Sequence, residues 1–161
     1  MEKNGNPDWG EIMKKNIKGI VDISEKTVIK RQAIATGLLK LSPNTLNAIK
    51  NRLIEKGDVV EASTIAAIQA VKETPRIIPH CHPIPLESCE VNWQLNDIGL
   101  QCSVDVIAHY KTGIEMEAIT GVVAGLLCAL DMVKSLEKDG NGQYSNTEIC
   151  NVKIVTKQKF E

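Results

Sequence analysis

Two short stretches of the sequence combine residue types that can bind anions or move protons. The first is a loop in which three prolines within residues 79–85 surround His80, Cys81 and His82. Proline fixes φ and lacks a backbone donor, so a helix is excluded and a rigid loop is predicted. Two imidazoles and a thiol on such a loop can donate to phosphate, hold a metal or shuttle protons. The alternative is a polar surface turn.

A metal site at this loop is the less favoured interpretation. Three adjacent residues cannot all point at one tetrahedral centre, and no distant Cys or His pair in the sequence has zinc-ligand spacing. A substrate-binding loop is therefore the preferred role for His80, Cys81 and His82.

The second stretch ends an apolar run, where Asp131 and Lys134 lie three residues apart. This spacing places them on adjacent turns of one helix face, where a half-buried pair could exchange protons. The alternative is an ordinary surface salt bridge worth roughly 0.5 kcal/mol or less. From the residues alone, the salt bridge is favoured.

Three further charged residues flank predicted helix ends. Thr112 and Glu115 fit a T-x-x-E capping box, which accounts for Glu115. Glu117 has no such explanation and is the better functional candidate. Lys56 precedes a glycine and an aspartate that can end one helix and begin the next, and a lysine beside a helix N-terminus also suits a phosphate.

Hydrophobic periodicity and turn residues predict the elements that position these side chains. A strand is predicted over residues 26–41, followed by a helix that Ser42 caps and Gly57 closes, and by a second helix that Asp58 caps. A hairpin, a long helix and a final strand complete the pattern, over residues 88–109, 112–138 and 147–156.

This order of elements predicts an α+β, ferredoxin-like fold, an antiparallel sheet with helices packed on one face. Residues 1–20 carry turn-prone residues and little periodicity, and we expect a flexible N-terminal arm there. Residues 21–161 are expected to form a single domain.

Composition excludes several functional classes. The 19 basic and 20 acidic residues create no net field for nucleic acid or an anionic membrane, and only five residues are aromatic (two Trp, two Tyr and one Phe). The best apolar stretch, residues 118–132, falls short of the roughly 18 uncharged residues of a membrane span and contains Asp131. Five scattered cysteines without a signal peptide indicate a reducing compartment. We expect a cytoplasmic protein with no nucleic-acid or membrane partner.

Seven segments in register carry a resemblance to a known family. They are VDIS at 21–24, RQAIA at 31–35, KGDV at 56–59, IAAIQA at 65–70, IPHCHP at 78–83, TGIEMEA at 112–118 and DMVK at 131–134. Together they resemble the cyclic pyranopterin monophosphate synthase family of molybdenum cofactor biosynthesis, over residues 21–156.

The resemblance implies an activity and an assembly. The reaction would convert (8S)-3′,8-cyclo-7,8-dihydroguanosine 5′-triphosphate into cyclic pyranopterin monophosphate and pyrophosphate, which makes the enzyme a phosphorus–oxygen lyase. It implies no cofactor, although Mg²⁺ can accompany the triphosphate. It also implies a homohexamer, a trimer of dimers with the active site at the dimer interface.

The resemblance also assigns catalytic residues. Asp131 and Lys134 resemble the family's general acid–base pair, and Lys56 resembles a lysine needed for activity. Burial or neighbouring cations would be expected to lower the pKa of Lys134, so that it can both give and take a proton.

Substrate contacts are implied in the same way. The loop at residues 80–82 resembles a substrate-contacting loop, with a backbone contact expected at His80 and a side-chain function at His82. Further contacts are implied for Met116, Glu117 and Glu115, and the cations Arg31 and Lys157 are candidates for the triphosphate.

Two rival functions remain. One is a non-catalytic relative that binds a pterin or nucleotide, and the other is a metal hydrolase that uses residues 80–82.

The sequence also departs from the family pattern after Lys157, where many relatives read Gly-Gly-Lys-Ser-Gly and this chain reads Gln158-Lys159-Phe160-Glu161.

Overall fold

The structure is a computed structural model that describes residues 19–160. It contains four strands and four helices within that range. In chain order they are β1 (Ile29–Lys40), α1 (Pro43–Lys50), α2 (Val59–Lys72), α3 (Thr74–Ile77), β2 (Ser88–Asn96), β3 (Gly99–Tyr110), α4 (Glu115–Glu137) and β4 (Glu148–Phe160). The expected arm at residues 1–20 falls almost wholly outside the described residues and stays a prediction.

The strands form one antiparallel sheet in the order β2-β3-β1-β4. Helix α4 packs on β1, β3 and β4, and α2 lies beside α4 and against β2. The predicted α+β fold, with an antiparallel sheet and helices on one face, is confirmed. The strand order is the one that a βαββαβ unit of the ferredoxin-like type produces when each crossover skips a strand.

Small residues allow α4 to lie close to the sheet and to α2. A methyl group at Gly37 of β1 would lie 2.8 Å from side-chain carbons of Val122 and Leu126. One at Gly121 would lie 2.5 Å from a methyl of Val71 on α2. Because neither contact leaves room for a Cβ, these glycines fix the depth at which α4 sits.

The predicted N-terminal caps of α1 and α2 are confirmed, whereas the predicted end of α1 is wrong. Ser42 and Asp58 do cap these helices, since their side chains accept from Thr45 N and Glu61 N. However, α1 ends at Lys50, and the prediction that Gly57 closes it is wrong. Asn51 caps α1 at its C-terminus and Arg52 takes a positive φ of 56°, so the chain leaves the helix a turn and a half early.

The predicted capping box at the start of α4 is also wrong. The N-cap of α4 is Ile114, with no side-chain hydrogen bond, and Glu115 instead accepts from Lys157 Nζ at 2.5 Å. The ion pair with a residue on β4 replaces the local contact with the Thr112 segment. A long-range partner of this kind leaves no trace in the spacing of residues along the helix.

Helix α4 is also long and apolar enough, by length and composition, to cross a membrane, with a mean hydropathy of 1.8 in its most apolar window. The uncharged run within this helix, residues 118–130, is nevertheless shorter than the roughly 18 residues on which the prediction was based. In the structure, half of that window is buried against the rest of the chain. A core helix of a globular domain passes the same test, so the finding is weak evidence for a membrane partner.

We expect Gly121→Ala to destabilise the fold by about 1–3 kcal/mol, because the added methyl would overlap Val71. Gly140→Ala is the matched control, since no atom lies within 4 Å of a Cβ there. Urea unfolding at one protein concentration measures both. Equal stabilities for the two variants would contradict the close packing of α2 on α4.

Candidate active site

Two lysines converge on one carboxylate near the C-terminal end of α4. Lys56 Nζ lies 2.6 Å from Asp131 Oδ2 and donates also to the Asp131 carbonyl at 3.0 Å. Lys134 Nζ lies 2.6 Å from the other carboxylate oxygen, Oδ1. We call Lys56, Asp131 and Lys134 the lysine–aspartate cluster. The structure thus brings together the three residues that the resemblance marks as catalytic.

The ion pairs of the cluster stabilise the charged forms of Asp131 and Lys134. Hydrogen bonds from Lys134 and Lys56 lower the pKa of Asp131 to about 2. The hydrogen bond from Asp131 in turn raises the pKa of Lys134. The expected lowering of the Lys134 pKa is therefore wrong for this chain by itself, because the bonded Asp131 carboxylate outweighs desolvation.

All three side chains are about half exposed, at 49% for each lysine and 54% for Asp131. Ion pairs in such surroundings add little to folding stability, since water screens them. The arrangement leaves one aspartate and two ammonium groups accessible to a ligand.

A second group of polar residues surrounds a cavity of about 280 Å³ at the opposite end of α4. We call it the cleft. Its walls come from residues 21–26, from the loop at residues 80–84 and from residues 112–117 at the start of α4. The predicted residues His80, Cys81, His82 and Met116 all line it, as do Glu115 and Glu117 in the first turn of α4.

Glu117 is the buried acid of the cleft. It is 2% exposed, and its Oε2 atom has no hydrogen-bond partner among the residues described. Burial raises the pKa of Glu117 to about 7, with a smaller contribution from the charge of Glu115. A carboxyl group in this state can give or take a proton near neutral pH.

Glu115 differs from Glu117 although the two are near neighbours. Burial acts to raise the pKa of Glu115, but the hydrogen bond from Lys157 and the charge of Arg31 outweigh it, and the pKa is lowered. Arg31 is itself buried and donates from Nε to the Tyr110 carbonyl at 2.9 Å. The structure therefore places the two predicted cations beside the ionised glutamate, at the edge of the cleft.

Cys81 is not an activated nucleophile. Burial raises the pKa of its thiol, and the charges of Glu117 and Glu115 raise it further. Its thiol therefore stays protonated near neutral pH. In the part of the chain that the structure describes, no group of three or more His, Cys, Asp or Glu side chains could hold a metal ion.

Comparison with known proteins agrees with this arrangement. The family model described as the MoaC family matches residues 20–159, nearly the whole chain. The chain belongs to the MoaC family. This confirms the resemblance on which the site residues were assigned.

Curated relatives are similar to this chain over most of their length. A protein of Sulfurisphaera tokodaii, named "Probable cyclic pyranopterin monophosphate synthase", is 49% identical over 140 residues, covering 87% of this chain and 93% of the relative. One of the same name from Aeropyrum pernix is 48% identical, covering 88% and 97%. A relative from Methanothermobacter thermautotrophicus, named "Probable cyclic pyranopterin monophosphate synthase accessory protein", is 47% identical, covering 89% and 92%.

The lysine–aspartate cluster and the cleft lie far apart within one protomer. Asp131 follows Glu117 by fourteen positions along α4, which at a rise of about 1.5 Å per residue is about 21 Å. One reacting atom cannot touch both ends. The structure therefore assembles each predicted group but does not bring the two groups together in a single chain.

Sequence reasoning missed one wall of the cleft. Val21, Ile23 and Lys26 line it, although no site role was predicted for them. The VDIS motif at residues 21–24 was the available signal, because it was among the segments that carry the family resemblance and had no structural explanation.

The buried Glu117 carboxyl predicts a pH dependence of stability. A carboxyl whose pKa is higher in the folded chain binds more protons when folded, so its contribution falls as pH rises from about 4.5 to about 7. The loss amounts to roughly 3 kcal/mol at most.

We expect Glu117→Gln to gain stability relative to the wild type across this pH range, as measured by urea unfolding at pH 4.5, 6 and 7.5. Glu55→Gln, at an exposed position, is the control and should show no such gain. A pH-independent difference for Glu117→Gln would contradict a raised pKa.

Proposed function

We propose that this chain is a cyclic pyranopterin monophosphate synthase. It converts (8S)-3′,8-cyclo-7,8-dihydroguanosine 5′-triphosphate into cyclic pyranopterin monophosphate with release of pyrophosphate, as a phosphorus–oxygen lyase in the cytoplasm. The observation that carries the proposal is the convergence of Lys56 and Lys134 on Asp131 at 2.6 Å each. The names of the relatives support it.

The charges of the cluster suit the departure of pyrophosphate. Asp131 holds Lys134 protonated, and the two lysines hold Asp131 ionised. Lys134 is therefore the candidate proton donor to the ring system and Asp131 the candidate acceptor once the bond between them is weakened. Lys56 offers a second positive charge where negative charge grows on the leaving oxygens. The proposed reaction needs no cofactor, and Mg²⁺ can accompany the triphosphate.

Glu117 suits the other proton transfers. Its pKa of about 7 lets it act as donor or acceptor at working pH, in a cleft that Arg31 and Lys157 border. Rearrangement of a purine-derived ring into a pterin requires several proton transfers, and two separate acid–base groups with different pKa values provide them.

The exposed face of α4 indicates how the two groups combine. Met116, Val123 and Leu127 are 40%, 37% and 53% exposed and lie on one stripe. Asp131 and Lys134 continue that stripe at helical spacing. An apolar stripe that no residue between 19 and 160 covers suits burial against a second copy.

A two-fold axis near residue 124 would bring the groups together, because residue 124 is midway between Glu117 and Asp131. Two α4 helices packed antiparallel about that point place the lysine–aspartate cluster of one protomer beside the cleft of the other. We propose that the active site forms at this dimer interface and that three dimers make the hexamer.

Subunit complementation tests the shared site. Asp131→Ala and Glu117→Ala should each be inactive alone, but equal co-expression should restore about one quarter of wild-type activity. Half of the dimers are then mixed, and each mixed dimer has one intact site of two.

The control is to mix either variant with Asp131→Ala/Glu117→Ala, which leaves no intact site in any dimer. If the site lies within one chain, the first mixture will be as inactive as the control.

The activity itself is tested with purified protein and the cyclic nucleotide triphosphate, by measuring pyrophosphate and the oxidised fluorescent pterin. We expect Lys134→Ala and Asp131→Ala to lose at least about 100-fold in kcat, since each removes an acid–base group. Lys138→Ala, one turn further along the chain, is the matched control and should retain activity.

Two results would favour the rival functions. Tight binding without turnover by the wild type would indicate a non-catalytic binding protein. Turnover that is lost on chelation and accompanied by stoichiometric zinc would indicate the metal hydrolase.

A further inference from the structure

Residues 19–26, which we call the strap, are held against the cleft by three side chains from other segments. His80 Nδ1 lies 2.6 Å from the Gly19 carbonyl oxygen, and His82 Nε2 lies 2.7 Å from that of Val21. Lys111 Nζ donates to the Ser24 carbonyl at 2.7 Å. The strap is therefore fixed along its length by contacts with chain segments far away in sequence.

The two histidine contacts define which ring nitrogens carry protons. A carbonyl oxygen can only accept, so His80 must donate from Nδ1 and His82 from Nε2. Both rings are committed to the strap in this way, and a ligand in the cleft can reach only their other nitrogens. Their main effect on a ligand is to position the strap.

The strap turns back on itself so that Lys26 reaches the cleft. Ser24 N donates to the Asp22 carboxylate at 2.9 Å, and Lys26 N donates to the Ile23 carbonyl at 3.1 Å. Ile23 and Lys26 line the cavity together with residues at the start of α4.

Lys26 is the cation that lines the cavity itself, whereas Arg31 and Lys157 lie at its edge. Lys157 is paired with Glu115, and the carboxyl of Glu117 is largely uncharged below pH 7. Within residues 19–160, no carboxylate lies within 4 Å of Lys26 Nζ. The cleft therefore contains a positive charge that nothing in the described chain neutralises.

We propose that the strap is a wall of the ligand site and that Lys26 binds a phosphate oxygen of the ligand, while His80 and His82 are positioning residues that hold the strap in place. The phosphate assignment rests on the proposed function. The role of the histidines does not, because their contacts are made without a ligand.

Hydrogen exchange tests the role of the histidines. In His80→Ala/His82→Ala, amide exchange in a peptide that covers residues 19–28 should be at least about tenfold faster than in the wild type. His80→Asn/His82→Gln keeps donors near the same positions and should restore slow exchange. His109→Ala removes a histidine that contacts Glu87 instead, and it should change nothing here. Unchanged exchange in the double alanine variant would overturn the positioning role.

Calorimetric titration with inorganic tripolyphosphate tests Lys26 independently of turnover. We expect Lys26→Ala to raise the Kd about fivefold to tenfold, Lys26→Arg to restore it, and Glu25→Gln to leave it near the wild-type value. Equal binding by Lys26→Ala and wild type, or no binding by wild type, would overturn the phosphate contact.

Turnover assays then separate the two proposals. Wild-type turnover with an unchanged KM in Lys26→Ala would leave the synthase function standing and remove Lys26 from the site. Tripolyphosphate binding that depends on Lys26, without any turnover by the wild type, would support the phosphate contact and contradict the synthase function.

Discussion

The packing of α4 against the sheet is the constraint on which both candidate groups depend. Ala118, Val122, Leu126, Ala129 and Val133 form a fully buried row along the helix. Glycines on β1 and α4 allow that row to lie close to its neighbours. Because the helix is fixed over its whole length, the positions of Glu117 and Asp131 relative to one another are fixed as well. A helix free to rotate or slide would hold neither group in register with a partner.

The two ends of α4 illustrate opposite ways of tuning a carboxylate. Asp131 is exposed and bonded to two lysines, which lower its pKa to about 2. Glu117 is buried with one oxygen unbonded, and its pKa is raised to about 7. An unbonded, buried oxygen costs folding free energy, so its presence indicates a role other than stability. The exposed ion pairs of Asp131 add little to folding stability, so they too indicate a role other than stability.

Local sequence signals predicted much of the fold. The caps at Ser42 and Asp58 and the hairpin over residues 88–109 each depend on residues within a few positions of one another. Two errors arose where a distant residue changed the outcome. Glu115 pairs with Lys157, 42 residues away, and so leaves the capping box that its spacing predicted. The strap escaped detection for the same reason, since its partners His80 and His82 lie 61 residues further along the chain.

The candidate residues were found partly by chemistry and partly by resemblance. From spacing alone, Asp131 and Lys134 indicated an ordinary salt bridge, and only the third partner, Lys56, distinguishes the cluster from one. That partner lies 75 residues away in sequence, so no helical pattern could have revealed it. Glu117 was the exception, because a glutamate in the first turns of an apolar helix without a capping role already called for an explanation.

The protonation states in the isolated chain also argue for a shared site. Lys134 is too firmly protonated and Asp131 too firmly ionised for either to exchange protons freely while they bind each other. Glu117 has the matched pKa but lies about 21 Å away along its own helix. Packing of a second protomer antiparallel to α4 would bring a Lys134 ammonium towards a Glu117 carboxyl. The positive charge would lower the pKa of Glu117, and competition for Lys134 would weaken its bond to Asp131. Assembly would thereby join the lysine–aspartate cluster of one protomer and Glu117 of the other into one site in which protons can be transferred.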